Sequence, residues 1–304
     1  MINILRPPII VGAVTLDVIR SKSPKTNSVD LRFGGVCNNV ACSLGVLGFS
    51  PRFVTVTFSG EVGAMVPNHL KYHGVVWYPL PTNAPLAYFE AQLDTAGEVE
   101  SEQFHNCEAL ELLTVETLRA HNTLFDGVGA ILGCTDLSID ALMELQEMAR
   151  DSDIPFWLLV TSDSEVEKIR GLRWSVDLLG MNRAELERFT GRRLPTHEEL
   201  RLAMVKVAEP TGACLVTLGA EGALLYDSRR EEFLYRPAIP FAGGSSVGAG
   251  DVFFACLFAS WYTGKSWYDA MSFAGVASHT YLSRDSKQLP FKSLSPLKTI
   301  QGNG

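Results

Sequence analysis

Short apolar runs alternate with longer amphipathic segments along most of the chain. Six runs are apolar at nearly every position, which predicts strands covered on both faces: Ile9–Ala13, Phe53–Val56, Gly129–Leu132, Phe156–Val160, Leu178–Met181 and Cys214–Thr217. A helix is predicted over Asn38–Leu47. Ser138 is predicted to cap another helix, and Thr196 with Glu199 has the capping-box pattern of a third. This alternation predicts an α/β fold on a mostly parallel sheet.

Two segments depart from the alternation. Residues 14–33 and 84–104 are polar and rich in β-forming residues, and Tyr88, Phe89 and Ala91 fall at or near every second position. We expect both segments to form a small separate sheet. No internal repeat or low-complexity tract divides the chain, and α/β folds of this size often form one core. A single domain over residues 1–304 is therefore predicted.

Composition argues against several classes of function. The formal net charge is −8 at pH 7, which gives no indication of a nucleic-acid-binding surface. No apolar run reaches 18 residues, and the N-terminal apolar stretch is broken by Arg6 and Pro7. We therefore expect no membrane span and no signal peptide, and a cytoplasmic location by default. None of the six cysteines forms a C-x-x-C pair, so we expect reduced core cysteines without disulfides or a zinc site.

The strongest candidate for chemistry is the segment Gly248-Ala249-Gly250-Asp251, which precedes an apolar helical run. Small residues let the backbone turn sharply, and N–H groups at a helix N-terminus bind anions. An aspartate there can accept the proton of an alcohol that attacks phosphorus. Taken alone, the segment fits a glycine turn with a capping aspartate equally well.

Two further segments each have a functional and a structural interpretation. Gly34 and Gly35 precede a helix with Asn39 in its first turn. Such a turn can hold a sugar hydroxyl, or simply connect a strand to a helix. Asn182 is followed three residues later by Glu185. That carboxylate can position hydrated Mg²⁺ beside phosphates, or it can complete a capping box.

A fourth segment runs from Thr217 through Gly219 to Gly222 at the end of a predicted strand. Such a turn can lie against a nucleotide, and it can equally be a plain hairpin. Gly264-Lys265-Ser266 looks like part of a P-loop, but Ala259 stands where that motif requires its first glycine. We therefore interpret it as a helix end, with Ser266 capping the next helix.

In this order, and over nearly the whole chain, the signals resemble the ribokinase-like family, also called the PfkB carbohydrate kinases. The matches to its motifs are Gly34, Gly35 and Asn39, then Asn182 with Glu185, then Val216–Gly222, and finally residues 248–251. Asp17 matches the family's substrate-holding aspartate after the first strand.

The resemblance implies a three-layer α/β/α domain with a small β-sheet lid. It also implies transfer of the γ-phosphoryl group of ATP to a hydroxyl, with Mg²⁺, on a nucleoside or sugar. The implied roles are catalysis for Asp251 as the base with Gly248, Ala249 and Gly250, substrate binding for Asp17, Gly34, Gly35 and Asn39, nucleotide binding for Asn182, Thr217, Gly219 and Gly222, and metal binding for Glu185. A homodimer through the lid is a further expectation.

Within the family, the chain is most similar to pseudouridine kinases, in stretches such as Phe33–Gly48 and residues 88–94. The 5′-hydroxyl of pseudouridine is therefore the expected acceptor. The chain departs from the family at Ser245-Ser246-Val247, where Asp-Thr-Thr is common, so the resemblance does not extend to a potassium site. Thr161 and Met181 also depart from family positions.

Three alternatives to a pseudouridine kinase stay open. The chain could be another sugar or nucleoside kinase of the family. It could be a non-catalytic ligand-binding relative, against which Asp251 argues because a binding protein needs no base. A dinucleotide-dependent oxidoreductase is disfavoured, because the G-x-G-x-x-G fingerprint is missing at the Gly34-Gly35 turn.

Overall fold

The computed structural model describes residues 6–21, 28–94, 99–105, 107–170, 174–208, 211–241 and 248–283. The residues 245–247 that depart from the family pattern lie outside these ranges. The strands are β1 (Pro8–Val11), β2 (Thr15–Ser21), β3 (Ser28–Gly34), β4 (Arg52–Phe58), β5 (Val76–Ala84), β6 (Ala87–Leu93), β7 (Val99–His105), β8 (Ala130–Cys134), β9 (Phe156–Leu159), β10 (Leu178–Asn182), β11 (Ala213–Thr217), β12 (Ala223–Asp227) and β13 (Glu232–Arg236).

Nine strands form the central sheet, in the order β13-β12-β11-β10-β9-β8-β1-β4-β5. The strands from β11 to β5 are parallel, whereas β12 and β13 pair antiparallel at one edge. All six predicted core strands are confirmed, as is the hairpin after Thr217. Strand β5 was not predicted because Pro79 and Pro81 interrupt it. Prolines are tolerated there because β5 is the edge strand.

The helices are α1 (Val36–Val46), α2 (Gly60–Gly63), α3 (Val66–Tyr72), α4 (Val115–Ala120), α5 (Ile139–Asp151), α6 (Asp163–Ile169), α7 (Arg183–Thr190), α8 (His197–Ala208), α9 (Ala249–Tyr262) and α10 (Trp267–Leu282). The predicted caps are confirmed: Ser138 accepts a bond from Ala141, Ser266 from Asp269, and Thr196 and Glu199 form their reciprocal pair. None of the described helices has the length and apolar character needed to cross a membrane.

Two apolar clusters show that helices cover both faces of the sheet. One cluster includes Leu145 of α5 and Met204 of α8. The other includes Leu44 of α1, Leu257 of α9 and Ala274 of α10. The predicted three-layer α/β/α arrangement is therefore confirmed.

The second, small sheet has four strands in the order β3-β2-β6-β7. Strands β2 and β6 pair in parallel at its centre, and each carries an antiparallel neighbour outside. The small sheet has a minor core of its own, in which Ile19, Ala91 and Leu93 are buried against Phe89. Because β2 and β3 lie between β1 and α1 in the chain, the small sheet stands beside the carboxyl end of β1.

A disulfide joins Cys37, in the first turn of α1, to Cys134 at the end of β8. The prediction that the cysteines are reduced is wrong for this pair. The two cysteines are 97 residues apart, and they meet because β1 and β8 are neighbours and α1 packs across both. Cys42, Cys214 and Cys256 are free and buried, as predicted.

Candidate active site

Side chains from three distant parts of the chain meet at the carboxyl end of β1. Asn39 of α1 donates from Nδ2 to Oδ2 of Asp251 in α9, at 2.7 Å across 212 residues of sequence. Asp17 of β2 is close enough for its charge to act on Asp251. The structure thus brings together the predicted catalytic aspartate and two of the predicted substrate-binding residues.

The surroundings of Asp251 favour its protonated form. Burial raises the pKa of Asp251 to about 7, with the nearby Asp17 carboxylate contributing in the same direction and the hydrogen bond from Asn39 opposing it. A general base works best when its pKa lies near the operating pH. Asp251 therefore has the electrostatic setting of a proton acceptor rather than of a solvated capping residue.

The backbone beside Asp251 is open to a ligand. Gly248 has φ +84°, which favours glycine, and among the described residues no side-chain hydrogen bond caps the N-terminus of α9. A Cβ at Gly248 would overlap the Tyr281 hydroxyl, whereas one at Gly250 would meet no atom of another described element within 4 Å. The N–H groups of the first turn of α9, including that of Ala249, are thus suited to an anion such as a phosphate.

The two predicted glycines before α1 make room for Asp17. A Cβ at Gly34 would overlap the Asp17 carboxylate, and Gly35 has φ +93° at the turn into the helix. Thr15 donates from Oγ1 to Oδ1 of Asp17 at 2.9 Å. Burial raises the pKa of the Asp17 carboxyl, with the Thr15 hydrogen bond and the charge of Arg32 opposing. The position of the buried Asp17 carboxylate therefore explains Gly34, whereas the positive φ of the turn explains Gly35.

Asn182 and Glu185 form a complete capping box at the start of α7. The Asn182 N–H donates to Oε2 of Glu185 at 2.6 Å, and the Glu185 N–H donates to Oδ1 of Asn182 at 2.9 Å. The structural interpretation of this pair is therefore present in full. Asn182 also lies opposite Thr217 in the pairing of β10 with β11. Both residues stand at the carboxyl edge of the sheet, which is also the edge of Asp17.

The turn after β11 contains two glycines with different surroundings. A Cβ at Gly222, where φ is +107°, would overlap the carbonyl oxygen of Arg236. Gly219 has φ +58°, and a Cβ there would meet no atom of the described residues within 4 Å, so its surface is open within that part of the chain. Packing accounts for Gly222, whereas open space beside Gly219 leaves room for a ligand.

Sequence reasoning did not identify two residues on the face of the small sheet that carries Asp17. Arg32 of β3 and Phe89 of β6 both lie opposite Asp17 in the strand pairing, and opposite residues share a face. The Arg32 Nε is buried and has no hydrogen-bond partner among the described residues. Alternation along each strand shows which residues share a face. It places Arg32 and Phe89 beside Asp17 only when the pairing of the strands is already known.

Asp136 is a further carboxyl close to the site that sequence reasoning did not identify. Asp136 follows β8, and its Oδ1 lies near Gly12 and lacks a hydrogen-bond partner within the described ranges. Burial raises the pKa of Asp136 to about 6, with a hydrogen bond from the Ala13 backbone opposing. No motif marks Asp136, because only the adjacency of β1 and β8 brings it to the site.

A carboxyl with a pKa near neutrality, beside open N–H groups at a helix N-terminus, can take a proton from a hydroxyl while the helix holds a phosphoryl group. Together with the three-layer fold and its small sheet, this defines a small-molecule kinase of ribokinase-like architecture. The chain belongs to the pfkB family of carbohydrate kinases, whose model matches residues 9–292. The predicted family is confirmed.

Relatives match nearly the whole chain. The chain is 24% identical over 292 residues to guanosine-inosine kinase of Exiguobacterium acetylicum, a match that covers 92% of this chain and 96% of the relative. Ribokinase of Arabidopsis thaliana, solved in complex with ribose and ATP, is similar with a TM-score of 0.77, 20% identity, and coverage of 99% and 100%. Adenosine kinase of Sinorhizobium meliloti has a TM-score of 0.77, 16% identity, and coverage of 97% and 98%.

Proposed function

We propose that this kinase transfers the γ-phosphoryl group of ATP to a hydroxyl of a nucleoside, with Asp251 as the general base. The observation that carries the proposal is the position of Asp251. It is hydrogen-bonded to Asn39 and lies beside the open N-terminus of α9, with a pKa raised to about 7. In this proposal the residues 1–304 act as one domain, with the small sheet as a lid over the acceptor.

Asp17 and Asn39 hold hydroxyls of the acceptor in this proposal, with Gly34 and Gly35 leaving the space for them. Asp17 is a buried acceptor group, and its charge acts on Asp251. Leaving such a group unpaired costs about 1–3 kcal/mol. An acceptor without the matching hydroxyl is therefore expected to bind roughly 10- to 100-fold more weakly.

The nucleotide lies in this proposal against Asn182, Thr217, Gly219 and Gly222, with its γ-phosphoryl group at the Gly248–Gly250 backbone. The carboxyl edge shared by Asn182 and Thr217, and the open surface at Gly219, support this placement. The solved ribokinase of Arabidopsis thaliana, which carries ATP, has the same fold. Mg²⁺ would neutralise phosphate charge there, and Glu185 is the carboxylate that would bind it through its hydration shell.

Replacing Glu185 with glutamine tests the metal role. If the carboxylate acts on Mg²⁺ through its hydration shell, losing the charge raises the Mg²⁺ concentration needed for half-maximal turnover. Glu199 is the matched control, because it occupies the same position in the capping box of α8. Glu199→Gln is expected to keep its capping box, because glutamine can accept the same bond, and to leave the Mg²⁺ titration unchanged. Superimposable Mg²⁺ titrations of Glu185→Gln and wild type would leave Glu185 as a capping residue only.

Among acceptors we rank pseudouridine first, other nucleosides second and free sugars third. Phe89 and the unpartnered Nε of Arg32 share the face of Asp17, so among the described residues an aromatic ring and a donor lie beside the proposed hydroxyl-binding group. A nucleobase can stack on such a ring, whereas ribose alone cannot. Guanosine and inosine are the second candidates, since the relative from Exiguobacterium acetylicum matches nearly end to end.

Release of ADP from ATP, measured at matched acceptor concentrations, tests the ranking. The panel contains pseudouridine, uridine, guanosine, inosine, adenosine and ribose. Higher kcat/KM with pseudouridine than with the rest is expected. Equal or greater turnover with another acceptor would replace pseudouridine and leave the kinase assignment standing. If ATP binds but no acceptor releases ADP, the non-catalytic alternative is favoured.

The lid also offers a surface for a second copy of the chain. Val29 and Leu31 lie on β3, an edge strand of the small sheet, and are 55% and 61% exposed. Exposed apolar side chains on an unpaired edge favour association. We therefore propose that the protein forms a homodimer through the lid. A measurement of molecular mass in solution checks this proposal.

A further inference from the structure

A cluster of nitrogen, sulfur and oxygen donors lies between α1 and the end of α3. It contains Asn38 and Cys42 on α1, and His69 and His73 at the end of α3. Each pair is spaced four residues apart, so both members of a pair project from one face of their helix. The cluster thus has two donors from each of two packed segments. None of these four side chains has been assigned a role in the kinase reaction above.

The distances within the cluster fit a tetrahedral metal ion. The Cys42 Sγ lies 3.4 Å from Nε2 of His69 and 3.6 Å from Oδ1 of Asn38, and the same Nε2 is 3.2 Å from that Oδ1. Zinc bonds of about 2.0–2.3 Å place neighbouring tetrahedral ligands about 3.3–3.8 Å apart. Ligand atoms of Cys42, His69 and His73 all lie within 4.8 Å of one another. Asn38, Cys42 and His69 therefore already outline one face of such a site.

Hydrogen bonding leaves one ring nitrogen of His73 with a lone pair for a metal. The Nδ1 of His73 lies 2.9 Å from the carbonyl oxygen of His69. A carbonyl only accepts, so Nδ1 carries the proton and Nε2 keeps its lone pair. The His69 ring packs against Phe33 with ring centroids 4.8 Å apart. Its Nε2 lies 3.2 Å from Oδ1 of Asn38, which only accepts, so the proton on this nitrogen moves to Nδ1 when a metal binds.

We propose that Cys42, His69 and His73 bind a single zinc-type transition-metal ion, with Oδ1 of Asn38 as the fourth ligand. Nitrogen and thiolate donors favour zinc, cobalt and related ions over Mg²⁺, which prefers oxygen. Binding displaces the thiol proton of Cys42, which is released to solvent, and no electron is transferred. Until the ion binds, burial holds the pKa of that thiol above its usual range, so the thiol keeps its proton.

Spacing along the chain does not show this site, because its ligands come from two separate helices and no C-x-x-C pair is involved. The other cluster of this kind among the described residues contains Cys37, Cys134 and Asp136. Its two sulfur atoms are bonded to each other in the disulfide and are not available to a metal.

The proposed site is connected to Asp251 by two hydrogen bonds. Asn38 donates from Nδ2 to Oδ1 of Asn39 at 3.3 Å, and Asn39 donates from Nδ2 to Asp251 at 2.7 Å. A cation on Oδ1 of Asn38 makes its amide a stronger donor, so the bound ion acts on the orientation of Asn39. The site lies beyond the proposed function, and metal binding can be measured without any turnover.

Titration of the metal-free, full-length protein with Co²⁺ tests the proposal. We expect one equivalent to produce a thiolate-to-cobalt charge-transfer band, which Zn²⁺ abolishes and excess Mg²⁺ does not. His73→Ala is expected to weaken Co²⁺ binding by at least roughly 10- to 100-fold. Losing a residue that only hydrogen-bonds to a metal ligand already costs that much affinity. Cys42→Ala is expected to remove the charge-transfer band.

Two matched variants serve as controls. His121 ends α4 as His73 ends α3, with Nδ1 bonded to the carbonyl oxygen four residues earlier, and Cys256 is a buried free cysteine. His121→Ala and Cys256→Ala should titrate like wild type. Absence of the band in wild type, its retention in Cys42→Ala, or equal weakening by His73→Ala and His121→Ala would each overturn the proposal. If Cys42→Ala does not fold, the comparison of His73 with His121 decides, since both histidines lie at partly exposed helix ends.

Discussion

Asp251→Asn is expected to lower turnover about 10²- to 10⁴-fold while the fold stays intact, because the amide cannot accept the proton of the attacking hydroxyl. The amide has nearly the shape of the carboxylate, so binding of ATP should change little. Asp269→Asn is the matched control, since Asp269 occupies the third position of α10 as Asp251 does of α9. Steady-state kinetics of both variants check the result. A turnover close to wild type in Asp251→Asn would remove Asp251 as the base.

The same carboxyl determines the pH dependence. Only the deprotonated form accepts a proton, so kcat/KM should fall as the pH drops below about 7, the raised pKa of Asp251. The folded state holds this proton to a higher pH than the unfolded chain, whose aspartate has a pKa of 3.8. The free energy of unfolding should therefore decrease as the pH rises from about 4 to about 7. In Asp251→Asn this part of the decrease should be absent, as thermal unfolding at several pH values would show.

Gly34→Ala is expected to raise the KM for the acceptor roughly 10- to 100-fold with little change in the KM for ATP. The added Cβ would overlap the Asp17 carboxylate and force it away from the acceptor hydroxyl. The backbone of Gly34 is extended strand, so the effect comes from the overlap and not from strain.

Gly275→Ala provides the control for this substitution. Gly275 lies within α10, and a Cβ there would meet no described atom outside its own helix within 4 Å. The variant should keep both KM values and gain up to about 1 kcal/mol of stability from the better helix former. Equal effects of the two alanines on the acceptor KM, or an unchanged acceptor KM in Gly34→Ala, would show that Asp17 does not hold the acceptor.

The core was predictable because strands buried on both faces need continuous apolar runs, as in Phe156–Leu159. Capping was predictable because it is local, as at Ser138. The prolines of β5 concealed an edge strand, since an edge position is a property of the whole sheet. Local patterns therefore revealed the elements that local energetics determine, whereas the position of a strand at the edge of the sheet was not visible in them.

The candidate site shows the same division. Asn39 and Asp251 are 212 residues apart, and only the family resemblance brought them together before the structure did. Arg32 and Phe89 were missed because their positions beside Asp17 depend on strand register. The pattern Asn182-x-x-Glu185 has both a structural and a functional interpretation, because one carboxylate can cap a helix and also lie near a metal.

The small sheet has a consequence for the order of folding. Its two hairpins are joined by the parallel pairing of β2 with β6, for example at Arg20 and Gln92, which are 72 residues apart. Closing so long a loop is slow unless the core has already brought β1 and β5 into one sheet. Within its described part, the apolar cluster of the small sheet contains Ile19, Ala91 and Leu93, so the sheet has little stability of its own. It should form last and open first, exchanging its amide protons while the nine-stranded sheet stays protected.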